Sequence, residues 1–349
     1  SLGWEPREFK FVKVNDGNER SIPQVRVEGE LSESVRDLIE DHPEVEILDG
    51  LTVIQHRLGI FKAFKSFEKN GWLVASAGGL TNTLRLKHRN PLVNLPGVGK
   101  PYGEDIRGSL VADDGYVLCG SDMVSLEDTT KRHYMYPYDP DYVEEMSKPG
   151  FDPHLNLAMF AKVVTQQEID HYNAEVPEFV KKLKPIRKSY KATNYSAIYG
   201  VGPPRLAREL KSSVAFATQL LEAYWERNWS VKQVIADTKI KTLYGEEMWL
   251  YNPVSRFYYS LRFKKDIFST LNQSTGVYCF DTWMKYFRKK RPQLTAQFHD
   301  EVVLSIKKGS EEKCRQLLRQ AIDDTNDELK LNIKLDIDIQ FGKDYSEIH

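Results

Sequence analysis

The chain has 349 residues, 41% of them hydrophobic and 28% charged, with 49 Lys and Arg against 50 Asp and Glu for a formal net charge of -1. That composition is that of an ordinary globular chain rather than a disordered or membrane one, and the length leaves room for two or three domain-sized units. Global charge offers a polyanion nothing, so any nucleic-acid signal must be local.

No apolar run approaches the ~20 residues of a membrane-spanning helix, and a signal peptide is not expected. Cys119, Cys279 and Cys314 are widely spaced and lack C-x-x-C pairing, which argues against a disulfide framework or a zinc site. The expected setting is reducing and cytoplasmic.

The first sixty or so residues are turn-rich, with Pro6, Asp16-Gly17 and Pro23, followed by a helix expected around Ser34 to Glu40. A second helix is expected from Leu51 to Lys69, where Ile54, Leu58, Phe61 and Phe64 recur at helical spacing. Gly, Pro, Asn and basic residues from Ala77 to Leu110 predict a long ordered loop. Tyr116 to Cys119 predicts a strand ending at Ser121-Asp122. Between Pro153 and Tyr286 the pattern is helical, apart from a turn at Tyr244-Gly245-Glu246 flanked by β-formers. The tail reads as strand (Gln297 to Ile306), helix (Glu311 to Leu329) and strand (Leu335 to Phe341). Strands flanking a helical insertion make an α+β chain with one split domain.

Within the tail, AQFHDEVVLSI (Ala296 to Ile306) sets Val302, Val303, Leu304 and Ile306 beside His299, Asp300 and Glu301. Desolvating such carboxylates costs several kcal/mol, roughly, unless something compensates them. Asp122 likewise ends an apolar strand. Two strand-borne carboxylates are suited to a pair of Mg²⁺ ions ~3.5 to 4 Å apart, the arrangement that clamps the attacking and leaving oxygens of a phosphoryl transfer. The alternative for a lone strand-end Asp is a turn cap or a structural ion pair.

A second signal is RKSYKATNYSAIYG, Arg187 to Gly200. Pro185 suits a first helical position and Gly200 a stop, so one short helix is expected, with Arg187, Lys191 and Tyr195 on one face. Lys181, Lys182, Lys184, Arg187 and Lys188 then crowd a helix start that is already positive, which invites an anion such as phosphate. Arg205, Arg208 and Lys211 extend the basic face, and Glu209 is the only acid from Lys181 to Lys211. A solvated basic helix is the plainer alternative.

These segments, in order, resemble the polymerase region of the family A DNA polymerases, the bacterial DNA polymerase I class, and above all its phage replicative members. SDMVSLE resembles the motif that places a metal-binding Asp five residues before a Glu, here Asp122 and Glu127. Arg187, Lys191, Tyr195 and Tyr199-Gly200 resemble the nucleotide-binding fingers helix, and His299-Asp300-Glu301 the H-D-E motif of the palm hairpin. LNQSTG (Leu271 to Gly276), NLPGVGKPYGEDIRGSL (Asn94 to Leu110), DPHLNLA (Asp152 to Ala158) and GKDYSEIH (Gly342 to His349) are similar to further segments of the family, in colinear order.

The resemblance implies a right-hand polymerase fold with an antiparallel-sheet palm, helical fingers and a partial thumb. Residues 1–58 would be a thumb remnant and connection, 59–134 the first part of the palm, 135–260 the fingers and 261–349 the second part of the palm. It implies DNA-directed DNA synthesis with two Mg²⁺ ions, Mn²⁺ as a substitute, primer-template DNA and deoxynucleoside triphosphates. Asp122 and Asp300 would bind metal and Glu301 would support that site. Arg187 and Lys191 would neutralise the triphosphate as pyrophosphate leaves, with Lys191 counted among the catalytic residues and His154 adding a phosphate contact. Glu127 would exclude a 2′-hydroxyl, Tyr195 would flank the sugar and Tyr199 the templating base. Gln273 and His299 would hold the primer end, with Arg107 and Lys265 as further nucleic-acid contacts.

The chain departs from the family pattern in three places. Ala77-Gly78-Gly79 stands where T-G-R is usual, so that primer-template contact is missing or passes to Arg85 or Arg89. Lys265 stands where Arg is common, which keeps a phosphate contact but loses the bidentate fork. SLGWEP resembles text after the first thumb helices, so the expectation is one piece of a split or cleaved phage polymerase, with thumb and exonuclease on a second polypeptide and the host cytoplasm as location. Ser1 suits a splice junction or a cloning scar. A catalytically inactive DNA-binding subunit and a single-subunit RNA polymerase are the alternatives; Glu127 and Glu301 argue against the second.

Overall fold

Strand-forming text on either side of the helical insertion meets in a single sheet, in a computed structural model that describes residues 2–13, 19–27, 30–245, 247–289 and 293–348. Ser1, the expected Asp16-Gly17 turn, Glu246 of the expected turn and His349 of the tail lie outside the described residues.

At the N-terminal end Leu31, Val35 and Val45 form a small core with Trp4, Leu38 and Leu48. The helix expected at Ser34 to Glu40 is two single turns, Glu33–Arg36 and Leu38–Asp41, interrupted at Asp37, which pairs with Arg7. Helix α1 spans Ile47–Phe67, starting earlier than expected. Of its periodic apolar residues only Phe64 is buried; Ile54, Leu58 and Phe61 are exposed, because no described element covers that side. The segment expected as a loop contains a hairpin, β1 (Ala77–Leu80) with β2 (Leu86–His88), and a short helix, Gly103–Gly108. Its turn passes through Leu84 at φ +65°, left-handed backbone that costs a non-glycine residue ~1 to 2 kcal/mol.

The central sheet uses β3 (Tyr116–Met123) from the first half of the chain. Between β3 and its partners come α2 (Leu126–Met135), α3 (Pro153–Phe160), α4 (Pro177–Ile198), α5 (Pro203–Leu210), α6 (Val214–Arg227) and α7 (Trp229–Asp237). A three-stranded antiparallel sheet follows, β4 (Ile240–Leu243), β5 (Glu247–Tyr251) and β6 (Tyr258–Leu261), and then α8 (Ile267–Arg288). The chain closes with β7 (Leu294–Phe298), β8 (Glu301–Lys307), α9 (Glu311–Leu329) and β9 (Ile337–Gly342). The central order is β7-β8-β3-β9, antiparallel throughout.

Alternation of side chains gives the central sheet two unlike faces. Cys119, Met123, Val302, Leu304, Ile337 and Ile339 pack on one face against Trp283 and Phe287 of α8 and Leu318 and Ile322 of α9. Leu118 and Val303 on the other are covered by Tyr345 and Ile348 of the tail. The tail comes so close that a Cβ on Gly120 would lie 2.7 Å from the Ile348 carbonyl oxygen. It covers only one end of that face, and the other end carries acids.

Two further expectations change. The segment from Gln297 to Ile306 is not one strand: it turns at His299 (φ +39°) and Asp300, so the three ionisable residues occupy a hairpin tip. Pro185 does not open its helix either. Pro177 does, and Pro185 lies inside α4, where it removes one ladder donor. Arg187 and Lys188 are therefore well inside the helix, away from its positive end, and Lys182 is paired with Glu168. The helix-terminus argument for an anion fails there, and the side chains alone must carry it.

Candidate active site

The amide of Met123 donates to the carbonyl of Asp300 at 3.1 Å, setting Asp122 beside the hairpin tip. In register, Asp122 stands opposite Glu301 on β8 and opposite Asp338 on β9. Paired antiparallel residues share a face, so acids from three strands line up, and like charges directly opposite destabilise a sheet. Burial pushes the Asp300 carboxyl above the usual carboxylate range; Arg85 pulls it back, and Glu127 and Glu301 push it further up. Glu301 is only 6% exposed, and its Oε2 accepts from the Tyr345 hydroxyl at 3.1 Å.

Among the described residues no three His, Cys, Asp or Glu side chains converge as a self-sufficient metal cage. The donor set nevertheless fits Mg²⁺, which takes oxygen ligands and is commonly held by one or two carboxylates completed by substrate phosphates and water. Asp122 and Asp300 supply hard oxygen donors in a crowded negative environment that a cation would relieve.

Across from the acids, α4 presents the second group of residues. Tyr199 donates its hydroxyl to Glu127 Oε2 at 3.0 Å and accepts from Gln273 Nε2 at 3.3 Å. Burial raises the Tyr199 hydroxyl above its ordinary pKa, and Glu127 adds to the effect. Asn272 holds the Glu127 carbonyl at 2.8 Å. One turn back Tyr195 is 58% exposed, with Lys191 Nζ 5.9 Å from its ring centroid. Arg187 Nε contacts Asp152 Oδ2 at 2.5 Å, while Asp152 Oδ1 caps α3 through the amides of His154 and Leu155. Burial opposes ionisation of Asp152, yet Arg187 and the two amides hold it below the ordinary carboxylate range. His154 is buried with its Nδ1 3.0 Å from the Asn194 amide, and burial lowers its pKa to about 4. A cavity of about 430 Å³ joins Glu127, His154, Tyr195 and Tyr199.

Of the expected site residues, the structure brings Asp122, Asp300, Glu301, Glu127, Tyr199, Gln273 and His299 into one neighbourhood. Tyr195 and His154 line the adjoining cavity, while Lys191 and Arg187 lie one and two turns further back along α4. The His299 amide points to His88 Nε2 at 3.4 Å, and burial, with Arg85 and His88, lowers the His299 pKa to about 4. Lys265 packs beneath the end of α4, where a Cβ on Gly200 would lie 3.4 Å from its Cβ. Arg107 stands apart from the rest. It is buried, its Nε donates to the Pro96 carbonyl at 2.7 Å, and its guanidinium lies 4.8 Å from the Tyr345 ring centroid, so it braces a loop and the tail rather than facing a ligand.

Arg85 belongs with the central group: its Nη1 is 4.0 Å from Glu127 Oε1, and it acts electrostatically on Asp300 and His299. Arg89 is instead folded over Gly78. Of the two substitutes considered for the missing T-G-R arginine, only Arg85 reaches the acids. Asp338 joins this register with no motif to mark it; the alternation in LDIDIQ, Leu335 to Gln340, places it on an exposed face.

No family model matches the sequence. The chain is 24% identical over 283 residues to the thermostable DNA polymerase I of Thermus filiformis, covering 76% of this chain and 31% of that protein. It is 23% identical over 280 residues to the corresponding Thermus aquaticus enzyme (76% and 31%) and 24% identical over 284 residues to DNA polymerase I of Helicobacter pylori (77% and 29%). It therefore spans about a third of the length of these curated relatives. The fold is shared with the POL domain of Pol1 from M. smegmatis, solved in complex with DNA primer-template and dNTP, at a TM-score of 0.68, 20% identity, 97% of this chain and 58% of that one. The sequence alignments and the shared fold make the chain similar to the polymerase region of bacterial DNA polymerase I proteins.

Proposed function

We propose that this chain performs template-directed DNA synthesis. The primer 3′-hydroxyl oxygen bonds to the α-phosphorus of a deoxynucleoside triphosphate, the bond to the bridging α–β oxygen breaks, pyrophosphate leaves, and the hydroxyl proton passes to solvent. The observation that carries the reading is the Met123 to Asp300 hydrogen bond, which sets Asp122 and Asp300 side by side at the open end of the sheet. Two bound Mg²⁺ ions, or Mn²⁺ as a substitute, would activate the attacking oxygen and stabilise the leaving one.

The side chains have separable tasks. Asp122 and Asp300 hold the ions, and Glu301, fixed by Tyr345, keeps the hairpin tip in place and adds negative field. Arg187 and Lys191 bind the triphosphate, a task of positioning and charge neutralisation in which Arg187 must exchange Asp152 for phosphate. His154, uncharged near neutral pH, offers an N–H rather than a full charge. Glu127 fills the space a 2′-hydroxyl would need and Tyr195 flanks the sugar. Tyr199, held by Glu127 and Gln273, covers the place of the templating base until a template displaces it. His299 and Arg85 address the primer end, and Lys265 a backbone phosphate beside Gly200.

The reading extends to a second polypeptide that carries thumb and exonuclease. What favours it is α1: Ile47, Leu51, Ile54, Leu58 and Phe61 recur in heptad steps and are all exposed, Ile47 at 77%, a seam that suits a partner helix. A phage origin, and with it a bacterial cytoplasm, is supported by the resemblance of residues 94–110 alone. No helix among the described residues is long and apolar enough to cross a membrane.

Magnesium-dependent primer extension with Asp300→Asn as control tests the chemistry. The variant should lose at least about 100-fold in rate. Equal activity in both proteins sinks the metal assignment, tight DNA binding with no extension by either protein points to the inactive subunit, and ribonucleotide preference sinks the role of Glu127. Extension by the chain alone as processive as with any added fragment removes the second polypeptide.

A further inference from the structure

We propose that the outward face of the β4-β5-β6 sheet is a stacking platform for unpaired DNA, the single strand adjoining the synthetic site. The inference rests on the polymerase reading and names a ligand surface which that reading leaves unassigned.

The register gives this small sheet two unlike sides. Leu250, Tyr259 and Leu261 point inward and are buried in the core. On the other side Lys241, Trp249 and Ser260 stand abreast, and Tyr251 stands opposite Tyr258. Lys241 crosses the middle strand to place Nζ 4.5 Å from the Tyr258 ring centroid, and the rings of Tyr251 and Tyr258 lie 5.1 Å apart. Tyr244, at the β4–β5 turn, is 97% exposed. Trp249 and Tyr251 are half-buried, while Tyr258, 40% exposed, and Tyr244 leave their rings available to a flat ligand.

Charge narrows the ligand. The whole chain has a net charge of -1, yet in the sequence from 239 to 265 the cations Lys239, Lys241, Arg256, Arg262, Lys264 and Lys265 are offset by only two acids, Glu246 and Glu247. Rings that accept π-faces, interleaved with cations that accept phosphates, match single-stranded nucleic acid, whose bases are free to stack. A duplex, with its bases already stacked, would use the cations alone.

Position favours a strand in transit. Asn82, at the tip of the hairpin that carries Arg85, donates to the Ser260 carbonyl at 3.1 Å. Beyond β6 the chain reaches Lys265 against Gly200, next to Tyr199. The platform thus continues from the end of α4 where the templating base would enter.

Anisotropy of a fluorescent oligo(dT), titrated with the full chain, reads the platform directly. Tyr258→Ala and Tyr244→Ala should each weaken binding about five- to tenfold with an unchanged melting temperature. Lys241→Glu should weaken it similarly and flatten the plot of log affinity against log salt by about one phosphate's worth. All three should extend a primer at the wild-type rate on a template with a one-nucleotide overhang. Unchanged oligo(dT) affinity in all three, equal losses on blunt duplex, or competition by poly-glutamate as effective as by oligo(dT) overturns the platform. If wild type extends no primer while the variants still lose oligo(dT), the polymerase reading fails and the platform stands.

Discussion

Arg187 Nε donates to Asp152 Oδ2 at 2.5 Å, so the cation assigned to the triphosphate is held by the residue that caps a neighbouring helix. One carboxylate thereby serves two elements, the start of α3 and the middle of α4. A triphosphate carries more charge than Asp152 and can displace it, but the exchange subtracts from binding. Asp152→Asn keeps a good cap, since Asn and Asp are equivalent there, and gives up the ion pair. Its KM for nucleotide should fall severalfold with kcat less affected, whereas Asp152→Ala should also lose ~1 kcal/mol in urea denaturation. Steady-state extension kinetics check this, and an unchanged KM in the Asn variant refutes the latch. Because the folded-state pKa of Asp152 is depressed, its contribution is present above the unfolded value of ~3.9 and is lost as pH falls through the folded value. Wild type should therefore lose stability more steeply in acid than the Asn variant.

The Asp122 and Asp300 neighbourhood makes a prediction that does not depend on turnover. Acids from three strands stand opposite one another in register there, and repulsion among them lowers stability when no cation is bound. Asp300→Asn should melt at or above the wild-type temperature in EDTA. Millimolar Mg²⁺ should raise the melting temperature of wild type, as any ligand of the native state does, and raise that of the variant much less. Calorimetry with and without metal checks both parts; a variant stabilised as strongly as wild type would place the ion elsewhere.

Much of this site is legible from the chain alone, for a physical reason. Arg187, Lys191 and Tyr195 lie on one helix, α4, whose period fixes which side chains share a face, so spacing carries the information. Helix α9 is read to the residue because its pattern is unbroken. What fails depends on long-range contact. Pro185 looks like a helix start, yet packing of Leu183 and Tyr190 into the core of the helical insertion carries α4 through it. Arg107 looks like a surface cation until Tyr345, far along the chain, covers it. Arg85 reaches Glu127 only because the hairpin turns at Leu84, a left-handed residue that local propensity would not choose.

In the proposed function Glu127 and Tyr195 set sugar selectivity through separate contacts. Tyr199 is anchored to Glu127, while Tyr195 lies one turn away and more exposed. Tyr195→Phe removes a single hydroxyl from an exposed ring and should leave ordinary extension near its starting rate while raising discrimination against dideoxynucleotides. Glu127→Ala should instead admit ribonucleotides and, by releasing Tyr199, slow extension. Sequencing ladders with chain terminators and parallel reactions with ribonucleotides separate the two. A ladder unchanged by Tyr195→Phe rules out the sugar-facing placement.

Gly120 tests whether the tail holds the acidic end of the sheet in register. It sits two residues before Asp122 on the same face of β3, and there the Ile348 carbonyl approaches to where an added Cβ would be 2.7 Å away. Backbone of this kind cannot step aside as a flexible side chain would. Gly120→Ala must push the tail off the sheet, at ~1 to 3 kcal/mol by the usual cost of overpacking. The displaced tail carries Tyr345, whose hydroxyl holds Glu301, so the effect should pass from packing to chemistry. Extension should fall more than the stability change alone accounts for, and Tyr345→Phe, which keeps the packing, should reproduce the activity loss with little loss of stability. If Gly120→Ala melts earlier but extends normally, the tail is a cover for the sheet and Glu301 keeps its place without it.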